Sequence, residues 1–70
     1  MEEAVKRAVE IAGGAASLAR KLGISRVSVH EWVKRGRIPA TRVIAVESAV
    51  NAEVTRHDLR PDLYPEKAAA

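Results

Sequence analysis

The sequence predicts an all-α fold of four to five short helices. Its 70 residues would bury only about 60% of the surface that the unfolded chain exposes, so the core is thin and its elements are short. Apolar residues recur at three- and four-residue spacing in successive segments, and Gly or Pro stands between those segments. No repeat or linker divides the chain, so one domain is expected over residues 1–65, with 66–70 as a disordered tail.

From about Glu2 to Ala12, Val5, Ala8, Val9 and Ala12 fall at i, i+3, i+4 and i+7, which is one helical face. Gly13-Gly14 ends that helix. From Ala15 to Leu22, Ala15, Leu18, Ala19 and Leu22 repeat the pattern, and Gly23 stands where a left-handed residue would close the segment. Ser25 then sits at the N-cap of a third helix, which runs to Arg35 with Val29, Trp32 and Val33 inward and stops at Gly36. Pro39 suits the first turn of a fourth helix, about Ala40 to Val50, with Val43, Ile44, Val46 and Val50 on its apolar face and Asn51 as a left-handed terminator. Thr55 with Asp58 caps a last short turn through Leu59, and Pro61 and Pro65 keep the C-terminal residues from forming a long helix.

Trp32 and Tyr64 are the only aromatic residues, so Ala, Val, Leu and Ile must fill the core, and a partner subunit would support it. Trp32 belongs to that core rather than to a stacking platform, since it shares a face with Val29. There is no cysteine, hence no disulfide and no thiolate zinc site. His30 and His57 lie far apart with no matching ligands, so no metal and no cofactor are expected. No apolar run nears the roughly 20 residues of a membrane span, and the first residues lack the basic start of a signal peptide. The expected location is the cytoplasm, at the nucleoid when bound to DNA. No nucleophile elbow, phosphate loop or His-carboxylate-nucleophile set is present, so the chain is not expected to be an enzyme.

Charge is unevenly placed. Between Ser17 and Arg42 lie seven basic residues and one acid, Glu31, whereas the rest of the chain holds five basic residues and eight acids. A basic middle with acidic ends suits a polyanion held on one face. That middle coincides with two short helices joined by a Gly-containing turn, the arrangement that lowers a second helix into the DNA major groove. Ala19 allows the two helices to cross closely.

At 100° per residue, Val27, His30, Glu31 and Lys34 lie opposite Val29, Trp32 and Val33. Arg26 is placed to reach guanine, Val27 a thymine methyl and His30 a base edge, which with Glu31 and Lys34 makes the expected base-reading set. For Glu31 an ion pair with Lys34 or Arg35 is an equal alternative. Ser17, Ser25, Ser28, Arg35, Arg37, Thr41 and Arg42 are expected at phosphates.

The stretches Ala16 to Ser25, Val29-His30-Glu31-Trp32 and Gly36-Arg37-Ile38-Pro39-Ala40 resemble the Cro/cI-type phage and prophage repressors. Within that group the chain resembles the YdaS-like proteins almost end to end, through Val54 to Tyr64 as well. The resemblance covers roughly Ala4 to Pro65. It implies a lambda-repressor-like helix-turn-helix fold, operator binding as a dimer or higher oligomer, and a role in prophage control, sometimes described as that of an antitoxin. Two departures stand out: Ala15-Ala16 replaces a Gln that contacts phosphate in many relatives, and Asn51-Ala52 replaces paired glycines.

The function expected is therefore a sequence-specific regulator of double-stranded DNA, a repressor of prophage or mobile-element type. Val43, Val46, Val50, Val54, Leu59, Leu63 and Tyr64 exceed what one small core easily hides, so part of this set is expected at a homodimer interface. The alternatives are a module whose main ligand is a protein toxin, and a non-specific nucleoid or RNA binder.

Overall fold

The computed structural model describes residues 1–65, so the tail expected at 66–70 lies outside the described residues. The described residues form α1 (Glu2–Ile11), α2 (Ala15–Leu22), α3 (Arg26–Arg35), a 3-10 turn (Ala40–Arg42), α4 (Val43–Ala49) and α5 (Arg56–Leu59), and no strand. The all-α expectation holds.

α1 buries Ala4, Val5 and Ala8 and carries Glu2 and Glu3 in its first turn, where the helix dipole favours a carboxylate. The chain reverses at Gly13-Gly14, with the Gly14 N–H donating to the Val9 carbonyl at 2.8 Å. α2 ends at Gly23, whose φ of 70° lies in the left-handed region, and the Ile24 N–H donates back to the Ala19 carbonyl at 2.9 Å. The same closure ends α3: Gly36 has φ 75° and the Arg37 N–H reaches the Trp32 carbonyl at 3.1 Å. A side chain at Gly36 would be strained by that φ, and its Cβ would lie 3.1 Å from a Glu2 carboxylate oxygen, so α1 starts directly against the end of α3.

The expected fourth helix is interrupted. Pro39, the residue before it, offers no side-chain cap, and the Arg42 N–H bonds the Pro39 carbonyl at 2.9 Å in a tighter 3-10 turn before regular helix begins at Val43. Ile44, expected inward, is 43% exposed, because Val43, Val46 and Val50 define a buried stripe about 100° away from it. Asn51 terminates α4 with φ 54° as expected, and Ala52 follows with φ 60°, although it is not glycine. α5 starts with a capping box in which the Thr55 hydroxyl accepts the Asp58 N–H while the Asp58 carboxylate accepts the Thr55 N–H.

The helices enclose one core. Leu18, Val29, Val43, Val46, Val54 and Leu59 are fully buried, with Ala4, Ala8, Ala12, Ala19 and Trp32 filling between them. Ile38, in the connection between α3 and the 3-10 turn, is also buried at 1% exposure. This requires a correction to the expected subunit interface. Val43, Val46, Val50, Val54 and Leu59 are each at most 1% exposed in a single chain, so no partner can touch their side chains. The alanines on α1 and α2 let the helices approach closely enough to hide the valines, and α5 closes over α1 and α4. Of the expected interface residues, Leu63 is 44% exposed and Tyr64 is half-buried against the core.

Candidate nucleic-acid interface

α2 and α3 pack against each other more extensively than any other pair of elements, and only Gly23, Ile24 and Ser25 connect them. Val29 and Trp32 are the buried residues of α3 and fix its inner side, with Leu18 and Ala19 the buried residues of α2. The outward side is therefore set by geometry. Val27, His30 and Lys34, at i, i+3 and i+7, are exposed, and so are Arg26 and Glu31. Val27 is 66% exposed, a large apolar side chain standing in solvent at the start of the helix. The five expected base-reading residues thus share one continuous exposed surface.

Local caps hold that helix in place. The Ser25 side-chain oxygen accepts the Val27 N–H at 3.1 Å, which leaves its own O–H free to donate outward. The Arg35 Nε lies 3.6 Å from a Glu31 carboxylate oxygen, the within-helix pair expected as one alternative for Glu31. With those side chains 70% and 49% exposed, the pair contributes little to stability, about 0.3–0.5 kcal/mol.

The expected phosphate contacts divide into two groups. Ser28, Arg35 and Arg37 line a surface groove of about 420 Å³ together with Glu31, Pro39 and Arg60, beside the outward face of α3. Thr41 and Arg42 are exposed at the 3-10 turn beyond it. Ser17 is less favourably turned: it is half-buried, and its hydroxyl lies over Gly13, 3.3 Å from where a Cβ on that glycine would stand. α2 is capped by Gly14 with no side-chain hydrogen bond, so the first-turn amides of Ala15 and Ala16 keep donor capacity.

Several contacts beyond this surface carry no periodic signal in the sequence, and one of them reaches the loop after α3. Arg60 donates from Nη1 to the Ile38 carbonyl at 2.7 Å, and from Nε and Nη2 to the two Asp62 oxygens at 3.0 and 2.7 Å. Those guanidinium bonds hold the Asp62 carboxyl down at a pKa of about 2. On α4, Glu47 accepts the Arg56 N–H at 2.8 Å and pairs with the Arg56 guanidinium at 3.0 Å. The backbone bond, then the guanidinium, lowers the Glu47 pKa. His57, given no role by the sequence, has its Nδ1 3.0 Å from the Tyr64 carbonyl, which ties the last described turn to α5.

Comparison with known proteins accords with this geometry. A family model described as "Bacterial toxin YdaS" matches residues 5–68. The chain belongs to the YdaS family. It is 44% identical over 59 residues to an Escherichia coli (strain K12) protein described as "Putative transcriptional regulator YdaS". That match takes in 83% of this chain but 60% of the relative, so it spans less than two thirds of the relative's length. Among solved structures, one described as "Structure of the Cro protein from putative prophage element Xfaso 1 in Xylella fastidiosa strain Ann-1" superposes with a TM-score of 0.82 at 37% identity. The superposition covers 86% of this chain and 92% of that one. The fold is thus the Cro-type helix-turn-helix fold expected from the sequence.

Among the described residues no three His, Asp or Glu side chains gather as a metal site, and no helix is long and apolar enough to cross a membrane.

Proposed function

We propose that this YdaS-family protein is a sequence-specific regulator of double-stranded DNA, a prophage repressor that lays α3 in the major groove. The observation that carries the reading is the division of α3: Val27, His30 and Lys34 are exposed along one stripe while Val29 and Trp32 anchor the opposite one in the core. A helix so held presents a fixed set of side chains at the correct depth for base edges. Arg26 reads guanine, Val27 contacts a thymine methyl, and His30, Glu31 and Lys34 complete the base-reading surface. Arg35, Arg37, Ser25, Ser28, Thr41 and Arg42 hold phosphates on either side, with Ser17 at the margin. The Escherichia coli relative is described as a "Putative transcriptional regulator", and the Xylella fastidiosa structure as a Cro protein from a "putative prophage element", which supports this reading.

Repression follows most simply from occupying a promoter. Two copies would read a pseudo-palindromic site with half-sites about one helical turn apart. Their contact surface has to come from exposed residues, of which Leu63 is the most apolar left from the expected set.

Selection of bound duplexes from a random pool tests this proposal. The expected result is a defined motif, repeated with two-fold symmetry. Recovery of unenriched sequence would reduce the protein to a non-specific binder, and no retention of duplex at low salt would remove DNA from its ligands.

The second reading, a module whose main ligand is a protein of a toxin pair, draws on the word "toxin" in the family description. Co-expression with the neighbouring reading frames separates the two. A partner that must be present before operator DNA is bound favours the second, and tight operator binding by the protein alone favours the first.

A further inference from the structure

We propose that Arg60 is a positioning residue for DNA binding: without touching DNA, it fixes the loop that presents Arg37 to the phosphate backbone. The inference rests on the DNA-binding reading above and adds to it a residue that lies outside the helix-turn-helix.

Arg60 follows α5, far in sequence from the reading helix, yet its guanidinium lines the groove whose other basic walls are Arg35 and Arg37. Three of its five N–H donors are already engaged. Nη1 bonds the Ile38 carbonyl, and Nε and Nη2 take both oxygens of Asp62 in a planar two-point pair. The side chain is only 12% exposed, so it offers little surface to a phosphate, and Asp62 neutralises its charge next to Arg37.

The effect of Arg60 falls on the loop instead. Between Gly36 and Pro39 the chain makes the corner that separates α3 from the 3-10 turn. Arg37 is exposed at that corner. On its N-terminal side its own N–H is held by the Trp32 carbonyl at 3.1 Å. On its C-terminal side the Ile38 side chain is buried at 1% exposure, and the Ile38 carbonyl is held by Arg60 at 2.7 Å. The backbone is therefore held on both sides of Arg37, at its own N–H and at the Ile38 carbonyl, before any ligand arrives. Pinning the backbone in advance spares the complex the ordering cost that a mobile loop incurs when it binds. Asp62 keeps the guanidinium plane aimed at Ile38.

A double-mutant cycle with Arg60→Met and Arg37→Ala, read as duplex affinity at several salt concentrations, tests the assignment. Arg37→Ala is expected to weaken binding about tenfold on every sequence and to flatten the salt slope by about 0.9, the loss of one phosphate contact. Arg60→Met is expected to weaken binding about fivefold, part of the same contact, and to flatten the slope in the same direction. In the Arg37→Ala background, Arg60→Met should change affinity less than about twofold, since nothing remains to position.

Losses that multiply across the cycle, or an unchanged salt slope for Arg60→Met, would assign Arg60 a purely structural role and overturn the proposal. If Arg60→Met does not fold by far-ultraviolet circular dichroism, Asp62→Asn replaces it in the cycle, with a smaller loss expected that again disappears with Arg37→Ala. Failure of the native protein to bind duplex at all defeats the DNA reading and this proposal together. A motif-specific native protein with multiplying losses defeats the proposal alone.

Discussion

Ala52→Gly should make the protein more stable. Ala52 is the second of two consecutive left-handed residues that close α4, with φ 60° after Asn51 at φ 54°. Its N–H donates to the Glu47 carbonyl at 2.8 Å and the Asn51 N–H to the Ser48 carbonyl at 3.1 Å, so the closure cannot relax without losing two bonds to the helix end. An L-residue held there costs about 1–2 kcal/mol, because its Cβ crowds the following carbonyl. Glycine removes that strain but gives the unfolded chain more freedom, which costs about 0.4–1 kcal/mol. Ala52 is exposed, so the lost methyl leaves no cavity. The net expectation is a gain of about 0.8 kcal/mol, or about 3–6 °C in Tm for a domain of this size. Thermal unfolding followed at 222 nm measures it. A lower Tm in the glycine variant would mean that the left-handed geometry at Ala52 is not strained, and the reasoning would fail.

Arg26→Ala should cost about 1–3 kcal/mol on the selected motif and relax one base position, whereas Arg37→Ala should weaken cognate and random duplex by similar factors, because a cation at a phosphate acts through charge and carries no sequence information. Competition binding on both duplexes reads the difference, and equal losses for Arg26→Ala would take it off the base-reading set. Leu18→Ala, at a residue with 0% exposure between α2 and the rest of the core, should destabilise by about 3 kcal/mol in urea unfolding. That is a large share of the few kcal/mol expected for a domain this small. Acid should lower the stability of the protein through Glu47, Asp58 and Asp62, whose pKa values are all lowered by folding. Groups shifted down add stability that is complete above their unfolded values of 4.5 and 3.8 and is lost as pH falls through the folded ones, with Asp62 last at about 2. Stability from these groups, measured by urea unfolding across pH, should be flat from neutral pH to about 5 and decline below it, with Asp62→Asn removing the most acidic part of the decline.

Most of the fold was legible because it is written in local rules. The span of α2, the Ser25 cap, the Gly23 and Gly36 closures and the Thr55–Asp58 box each depend on residues within a few positions of one another. The division of α3 into Val29 and Trp32 against Val27, His30 and Lys34 follows from helical period alone. Contacts between residues distant in sequence escaped: Arg60 with Ile38, and Glu47 with Arg56. Ile38 gives no sign of being a core residue because it sits in a connection, where no periodicity marks an inward side chain. The valines of α4 were placed at a partner's surface because counting apolar residues ignores how closely alanine-faced helices can approach. Glu31 could pair or read a base on sequence grounds, and the ion pair to Arg35 is the arrangement found.

A core made mostly of valine and alanine has a consequence for mutational tolerance. Alanine surrenders no rotamer freedom on burial and valine little, so this interior is inexpensive to order and compensates in that way for its small area. The same economy leaves few flexible side chains to move aside. At Ala8, with 0% exposure, or Ala19, with 3%, even one added branch has nowhere to go. The molecule is therefore vulnerable to crowding as well as to hollowing, and its helix crossings at Ala8 and Ala19 accept only the smallest side chains.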